Sequence, residues 1–273
     1  MSTSVQRDGW ELLESGPPNA DHSVLLIPGT LGTAAFFEEL MAEPKLGESS
    51  VRLVATTLPG YGGTPPTEDV SIEGYARAAS KLAADLGCDA VLGHSTGGDV
   101  VLEMAAGAGY AGSLILLSPS FSLRDESRIL IVVDGLSRVF GHLPWSAILK
   151  IIGSALKVNV PPERHDALVA EMKKTDPRFL RRQSHLYGEY LKRHGSLVAR
   201  LRDSGVWAWV AFGERDDVKL ADDERRELEA CPRVTLVTIP DAGHLTINEK
   251  PGRVAELILE AVSADKERPR QAA

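Results

Sequence analysis

Gly93-His94-Ser95-Thr96-Gly97 sets a serine between two glycines, after a short apolar run (residues 89–93) and before a helix-period segment. A serine hydroxyl becomes a nucleophile when a base takes its proton and an acid orients that base. A strained strand-to-helix turn projects such a hydroxyl clear of the sheet, and glycines two residues to either side let the two backbones pack closely. A helix starting near Thr96 also aims free N–H groups at the same point. The competing reading is a glycine-rich turn whose serine merely bonds its own backbone. The strand–turn–helix context favours the nucleophile.

Seven histidines are available as base. His94 adjoins the serine but follows a strand, so its side chain is expected to point away from that of Ser95. His22 precedes the first core strand, and His142, His165, His185 and His194 fall in a helical region. His244, in Pro240-Asp241-Ala242-Gly243-His244, follows the last strand and therefore shares the carboxyl edge of the sheet with Ser95. For the acid, Phe212-Gly213-Glu214-Arg215-Asp216-Asp217 follows the preceding strand and brings several carboxylates to that edge. The chain order is then Ser95, Asp216, His244. Asp217 is the rival of Asp216, because neighbouring side chains point apart and only one can orient the imidazole. Glu214 is less favoured, and Ser118-Pro119-Ser120-Phe121-Ser122, after an earlier strand, carries no acid.

A tetrahedral oxyanion needs donors aimed in advance. The backbone N–H of Thr96 is one candidate. The other is the N–H of Thr30, in the glycine-bearing loop Pro28-Gly29-Thr30-Leu31-Gly32.

The elements that must position these groups follow from periodicity. Apolar runs at residues 23–27, 51–55, 90–92, 113–117, 206–212 and 234–239 lack strict alternation, which suits strands buried on both faces of a parallel sheet. Helix-period segments at 34–41, 71–86, 96–108, 220–230 and 246–262 alternate with them, predicting an α/β fold with a mostly parallel central sheet and flanking helices. Between residues 121 and 203 the rhythm changes to helical patterns alone (128–140, 145–156, 164–174 and 179–191), punctuated by Pro144, Pro161, Pro162 and Pro177. The expected organisation is a core of residues 1–120 and 204–273, with 121–203 as a helical cap inserted before the last two strands. Such a cap covers the carboxyl edge, where open α/β sheets bind ligands. The polar tail, 265–273, is expected to fray.

The chain has 273 residues and a net charge of −8. No basic run is long enough to track phosphates, so nucleic acid is not expected as a partner. Cys88 and Cys231 lie far apart, which argues against a disulfide framework or a structural zinc site. The opening residues lack the apolar stretch of an export signal, and the most apolar segments (113–117 and 129–133) are too short to span a bilayer. A cytoplasmic location is expected, with no membrane span; the oligomeric state is left open.

In four ordered stretches the chain resembles the α/β-hydrolase superfamily: LLIPGTLGT (25–33), LPGYGGT (58–64), GHSTGG (93–98), and the pair FGERDD (212–217) and PDAGH (240–244). The resemblance implies that the first stretch is the oxyanion loop, with Pro28 where relatives often carry histidine. LPGYGGT would shape a pocket wall, Asp216 would be the acid, and residues 121–203 would be the lid. Relatives that open epoxides or remove halide use aspartate at the turn, and dienelactone hydrolases use cysteine, so Ser95 directs the reading to a carboxylesterase- or lipase-like member.

The implied reaction is acyl transfer to water from a small-to-medium, largely apolar ester, lactone or thioester, requiring no metal or organic cofactor. Phe121 and Trp145 are the pocket candidates. Ile129, Leu130, Val133, Leu136, Ile148 and Ile151 are read mainly as the packing stripe of the cap. Alternatives on the same scaffold are a cofactor-free lyase or perhydrolase using the same triad, and a small-molecule receptor that signals through its lid.

Overall fold

The computed structural model describes residues 3–7, 9–156 and 160–266. Its centre is an eight-stranded sheet in the order β1-β2-β4-β3-β5-β6-β7-β8. The strands are β1 (Thr3–Arg7), β2 (Trp10–Ser15), β3 (His22–Ile27), β4 (Val51–Thr57), β5 (Ala90–His94), β6 (Ser113–Leu117), β7 (Ala208–Gly213) and β8 (Val234–Ile239). From β4 to β8 all neighbours run parallel, whereas β1 pairs antiparallel with β2, and β2 with β4.

The apolar runs become strands for the expected reason. Every residue of β5, β6 and β7 is buried, as is all of β3 after His22, so both faces of the sheet's centre are covered. β8 lies at the edge and is half-buried. The hairpin β1–β2 is an addition to the sequence-based expectation. Only Trp10 and Leu12 of β2 are buried, with Leu13 half-buried against the core, too short an alternation to stand out.

A 3₁₀ turn (Ala34–Phe37) leads into two single-turn helices, α1 (Glu38–Met41) and α2 (Pro44–Gly47). α3 (Ile72–Leu86) starts where the Ser71 hydroxyl accepts the Gly74 N–H and stops at Gly87, whose φ of 66° is left-handed. α4 (Thr96–Gly107) leaves the carboxyl end of β5, and its first nine residues are buried.

Between β6 and β7 come five helices: α5 (Arg128–Phe140), α6 (Leu143–Leu156), α7 (Pro162–Lys173), α8 (Pro177–His194) and α9 (Val198–Ser204). Pro162 and Pro177 occupy the first helical positions of α7 and α8, where a missing N–H costs nothing. α10 (Asp222–Glu229) joins β7 to β8. The segment read as one helix over 246–262 is two, α11 (Thr246–Glu249) and α12 (Pro251–Lys266), because a proline ring cannot continue the helix it meets. Of the tail read as frayed, residues 265 and 266 belong to α12 and 267–273 lie outside the described residues.

The helical insert sits over the carboxyl ends of the central strands. Tyr61, just after β4, stacks edge-on against Phe179 of α8 at 5.1 Å and donates its hydroxyl to Gln183 Oε1 at 2.8 Å. Two further ties join α4 to α8. Tyr187 donates to Asp99 at 2.9 Å and Tyr190 to Glu103 at 3.0 Å, while Arg200 of α9 grips the same Glu103 carboxylate. These buried carboxylates, absent from the sequence-based expectations, lock the insert onto the helix that begins at the serine turn.

Candidate active site

Ser95 stands between β5 and α4 with φ 53° and ψ −127°, a conformation that L residues rarely adopt and that costs on the order of 1–3 kcal/mol. The backbone crowding around it explains the glycines. A Cβ on Gly93 would stand 2.1 Å from the Gly97 carbonyl oxygen, and one on Gly97 would stand 2.4 Å from that of Ile27. The Ser95 N–H donates to Leu117 O at 2.8 Å, fixing the turn against β6.

The end of β7 and the loop after β8 meet at the same edge. Asp216 is 2% exposed, and its Oδ1 accepts from His244 Nδ1 at 2.9 Å. Because a carboxylate only accepts, Nδ1 carries the hydrogen and the lone pair of neutral His244 lies on Nε2. Ser118 donates to Asp216 Oδ2 at 2.5 Å, and the Val218 N–H donates to Oδ1 at 2.9 Å. Burial alone would push the Asp216 carboxyl up. The hydrogen bond and charge of His244, with the bonds from Ser118 and Val218, outweigh it and hold the carboxyl below its ordinary value. For His244, burial opposes protonation, yet the Asp216 bond and charge prevail and raise its pKa above the usual imidazole value. Asp217 and Glu214 are exposed, and Glu214 instead accepts the Asp241 N–H.

The His94 side chain reaches the His244 loop. Its Nε2–H donates to the His244 carbonyl oxygen at 2.8 Å, and the two rings lie 4.9 Å apart. Burial, then the neighbouring His244, pushes the His94 pKa down to about 3, so its ring is neutral.

Thr30 and Thr96 come together, their hydroxyls 2.9 Å apart. Thr96 opens α4, so its N–H has no acceptor within the helix. Both threonines line a cavity of about 350 Å³ that runs beneath the insert among Leu123, Glu126, Leu130 and Trp145. Ser95 and His244 are not among its lining residues, so it is a chamber opening beside the serine turn.

Of the two pocket candidates, Trp145 is among the residues lining this chamber and Phe121 is not. The Phe121 N–H donates to Asp125 Oδ2 at 3.0 Å, its carbonyl accepts the Leu197 N–H at 2.8 Å, and the residue is fully buried. Three apolar insert residues read as packing positions, Ile129, Leu136 and Ile151, are instead exposed. Ser118, Glu126 and Gln183 went unnoticed in the sequence. Only the strand-end position of Ser118 hinted at its contact with Asp216. Among the described residues no cluster of histidine, cysteine or carboxylate side chains is arranged to hold a metal ion, and no helix is long and apolar enough to cross a membrane.

Residues 24–257 match the model of the alpha/beta hydrolase family, and the chain belongs to that family. No curated protein matches it in sequence. Solved structures share its fold at low identity. An esterase from Thermogutta terrifontis superposes with a TM-score of 0.74 at 20% identity, over 97% of this chain and 99% of its own. An N-acyl homoserine lactonase superposes with a TM-score of 0.72 at 18% identity over 100% of both chains. The thioesterase domain from the curacin biosynthetic pathway does so at 0.68 and 17% identity, over 95% of this chain and 99% of its own.

Proposed function

We propose that this chain is a serine hydrolase that cleaves a small-to-medium, largely apolar ester, lactone or thioester through an acyl-enzyme on Ser95. The observation that carries the reading is the 2.9 Å bond between buried Asp216 and half-buried His244, whose loop is tied to the residue before the strained serine. His244 Nε2 accepts the Ser95 proton as Oγ attacks the carbonyl carbon. Asp216 keeps the imidazole in the tautomer that makes this possible and stabilises the imidazolium that forms. The backbone N–H groups of Thr30 and Thr96 receive the oxyanion. His244 then protonates the leaving group, and water repeats the sequence on the acyl-enzyme. The shared fold of the esterase, lactonase and thioesterase neighbours supports acyl transfer as the reaction class.

The test is hydrolysis of a panel of p-nitrophenyl esters by the wild type and Ser95→Ala. The variant is expected to lose about 10⁴- to 10⁶-fold in kcat while remaining folded. Equal turnover by the two would remove Ser95 from the mechanism.

A further inference from the structure

Gln183 of α8 is 1% exposed and lines the chamber. Its Oε1 accepts from the Tyr61 hydroxyl, and burial raises the Tyr61 pKa, so that phenol keeps its proton and remains the donor. The Gln183 amide nitrogen is thereby left as the free end, and Nε2 has no hydrogen-bond partner among the described residues. Trp145 of α6, also 1% exposed and also in the lining, has an indole Nε1–H that can only donate and that likewise has no partner among the described residues. On α5, Asp134 Oδ1 is a third unpaired buried atom of the same lining, while Oδ2 faces Arg138 at 3.4 Å.

Buried donors without partners are costly, and a native fold keeps them where something outside the protein completes the bond. Here the two donors and the acceptor sit on residues that line one chamber, whose other lining includes Leu123, Leu130, Ile131 and Leu191. An unadorned alkyl chain would fill the space and leave both N–H groups unsatisfied. A carbonyl oxygen within the chain would accept from them.

We infer that the chamber receives an acyl chain carrying an internal carbonyl, held by Trp145 Nε1–H and Gln183 Nε2–H. The carbonyl belongs to a ketone or an amide, and an amide N–H has an acceptor in Asp134 Oδ1. Trp145 and Gln183 are thus specificity residues for the acyl side. This rests on the hydrolase reading of Ser95.

The test compares kcat/KM for three p-nitrophenyl esters of matched chain length: plain, with an internal ketone, and with an internal amide. Wild type is assayed beside Trp145→Phe, which removes the indole donor, and Gln183→Glu, which keeps the oxygen that Tyr61 needs but replaces the amide donor. A carbonyl-bearing ester is expected to lead the plain one by about tenfold or more, the worth of a net hydrogen bond. Each variant is expected to bring that ratio toward one. The faster carbonyl ester identifies the source, and a lead for the amide assigns its N–H to Asp134. Equal efficiency for all three esters, or a ratio unmoved by both substitutions, overturns the inference while leaving the hydrolase reading intact. No hydrolysis of any ester by folded protein, with no labelling of Ser95, overturns both.

Discussion

His94 Nε2–H donates to the main-chain oxygen of His244 at 2.8 Å, so the residue before the serine turn holds the loop that carries the imidazole. One end of that imidazole is fixed by Asp216, and the backbone behind it by His94. Small displacements of a catalytic base are expensive, since a misplacement of about 1 Å can cost about 100-fold in rate. His94→Phe is therefore expected to lower kcat by up to about that factor with little change in KM. His94→Gln, which restores a side-chain N–H donor, should recover part of the loss. Steady-state kinetics of the two variants check this.

The two adjacent aspartates separate cleanly by environment. Asp216 is buried against His244 and Ser118, while Asp217 is exposed. Asp216→Asn should cost about 10⁴-fold in kcat, because the amide no longer enforces the productive tautomer. Asp217→Asn should stay within about threefold of wild type, in keeping with the small effects of surface changes. Ester turnover by each variant measures the difference.

The pH profile follows from the same pair. In the proposed mechanism the base is neutral imidazole, and the Asp216 bond and charge raise the pKa of His244. The acid limb of kcat/KM should therefore lie above the ordinary imidazole value of about 6.5. Removing the negative charge in Asp216→Asn should move the limb of the residual activity to lower pH. A limb that does not move in the variant would separate the titrating group from this pair.

Asp99 makes a different pH prediction. It is fully buried in α4, accepts from Tyr187 through Oδ2, and has no partner for Oδ1 among the described residues. Burial raises its pKa well above the ordinary value, so the folded chain holds a proton that the unfolded chain releases. Above the unfolded pKa of about 3.9 the native state binds more protons, and this site's contribution to stability falls as pH rises toward the folded pKa. Asp99→Asn keeps an acceptor for Tyr187 and removes the ionisation. Its Tm relative to wild type should increase between about pH 5 and pH 8, as thermal melts at both values would record.

The strands beside the serine are legible because they are buried on both faces and read as unbroken apolar runs, as in LLI of β3 and SLILL of β6. The β1–β2 hairpin escapes because β2 buries only Trp10 and Leu12. In the insert, periodicity reveals helices but not which stripe is covered, so Ile129 and Ile151 look like packing residues and are exposed. Ser95, Asp216 and His244 each follow a strand at its carboxyl end, a position readable from strand order. Ser118 and Gln183 are not readable in that way. Their partners lie 98 and 122 residues away, and neither a hydroxyl nor an amide announces a role until its partner arrives.

The measurement that bears most directly on the central claim is intact mass after exposure to a fluorophosphonate, with Ser95→Ala in parallel. The account predicts one adduct on the wild type and none on the variant. An adduct that persists in Ser95→Ala, or none on folded wild-type protein, would contradict it.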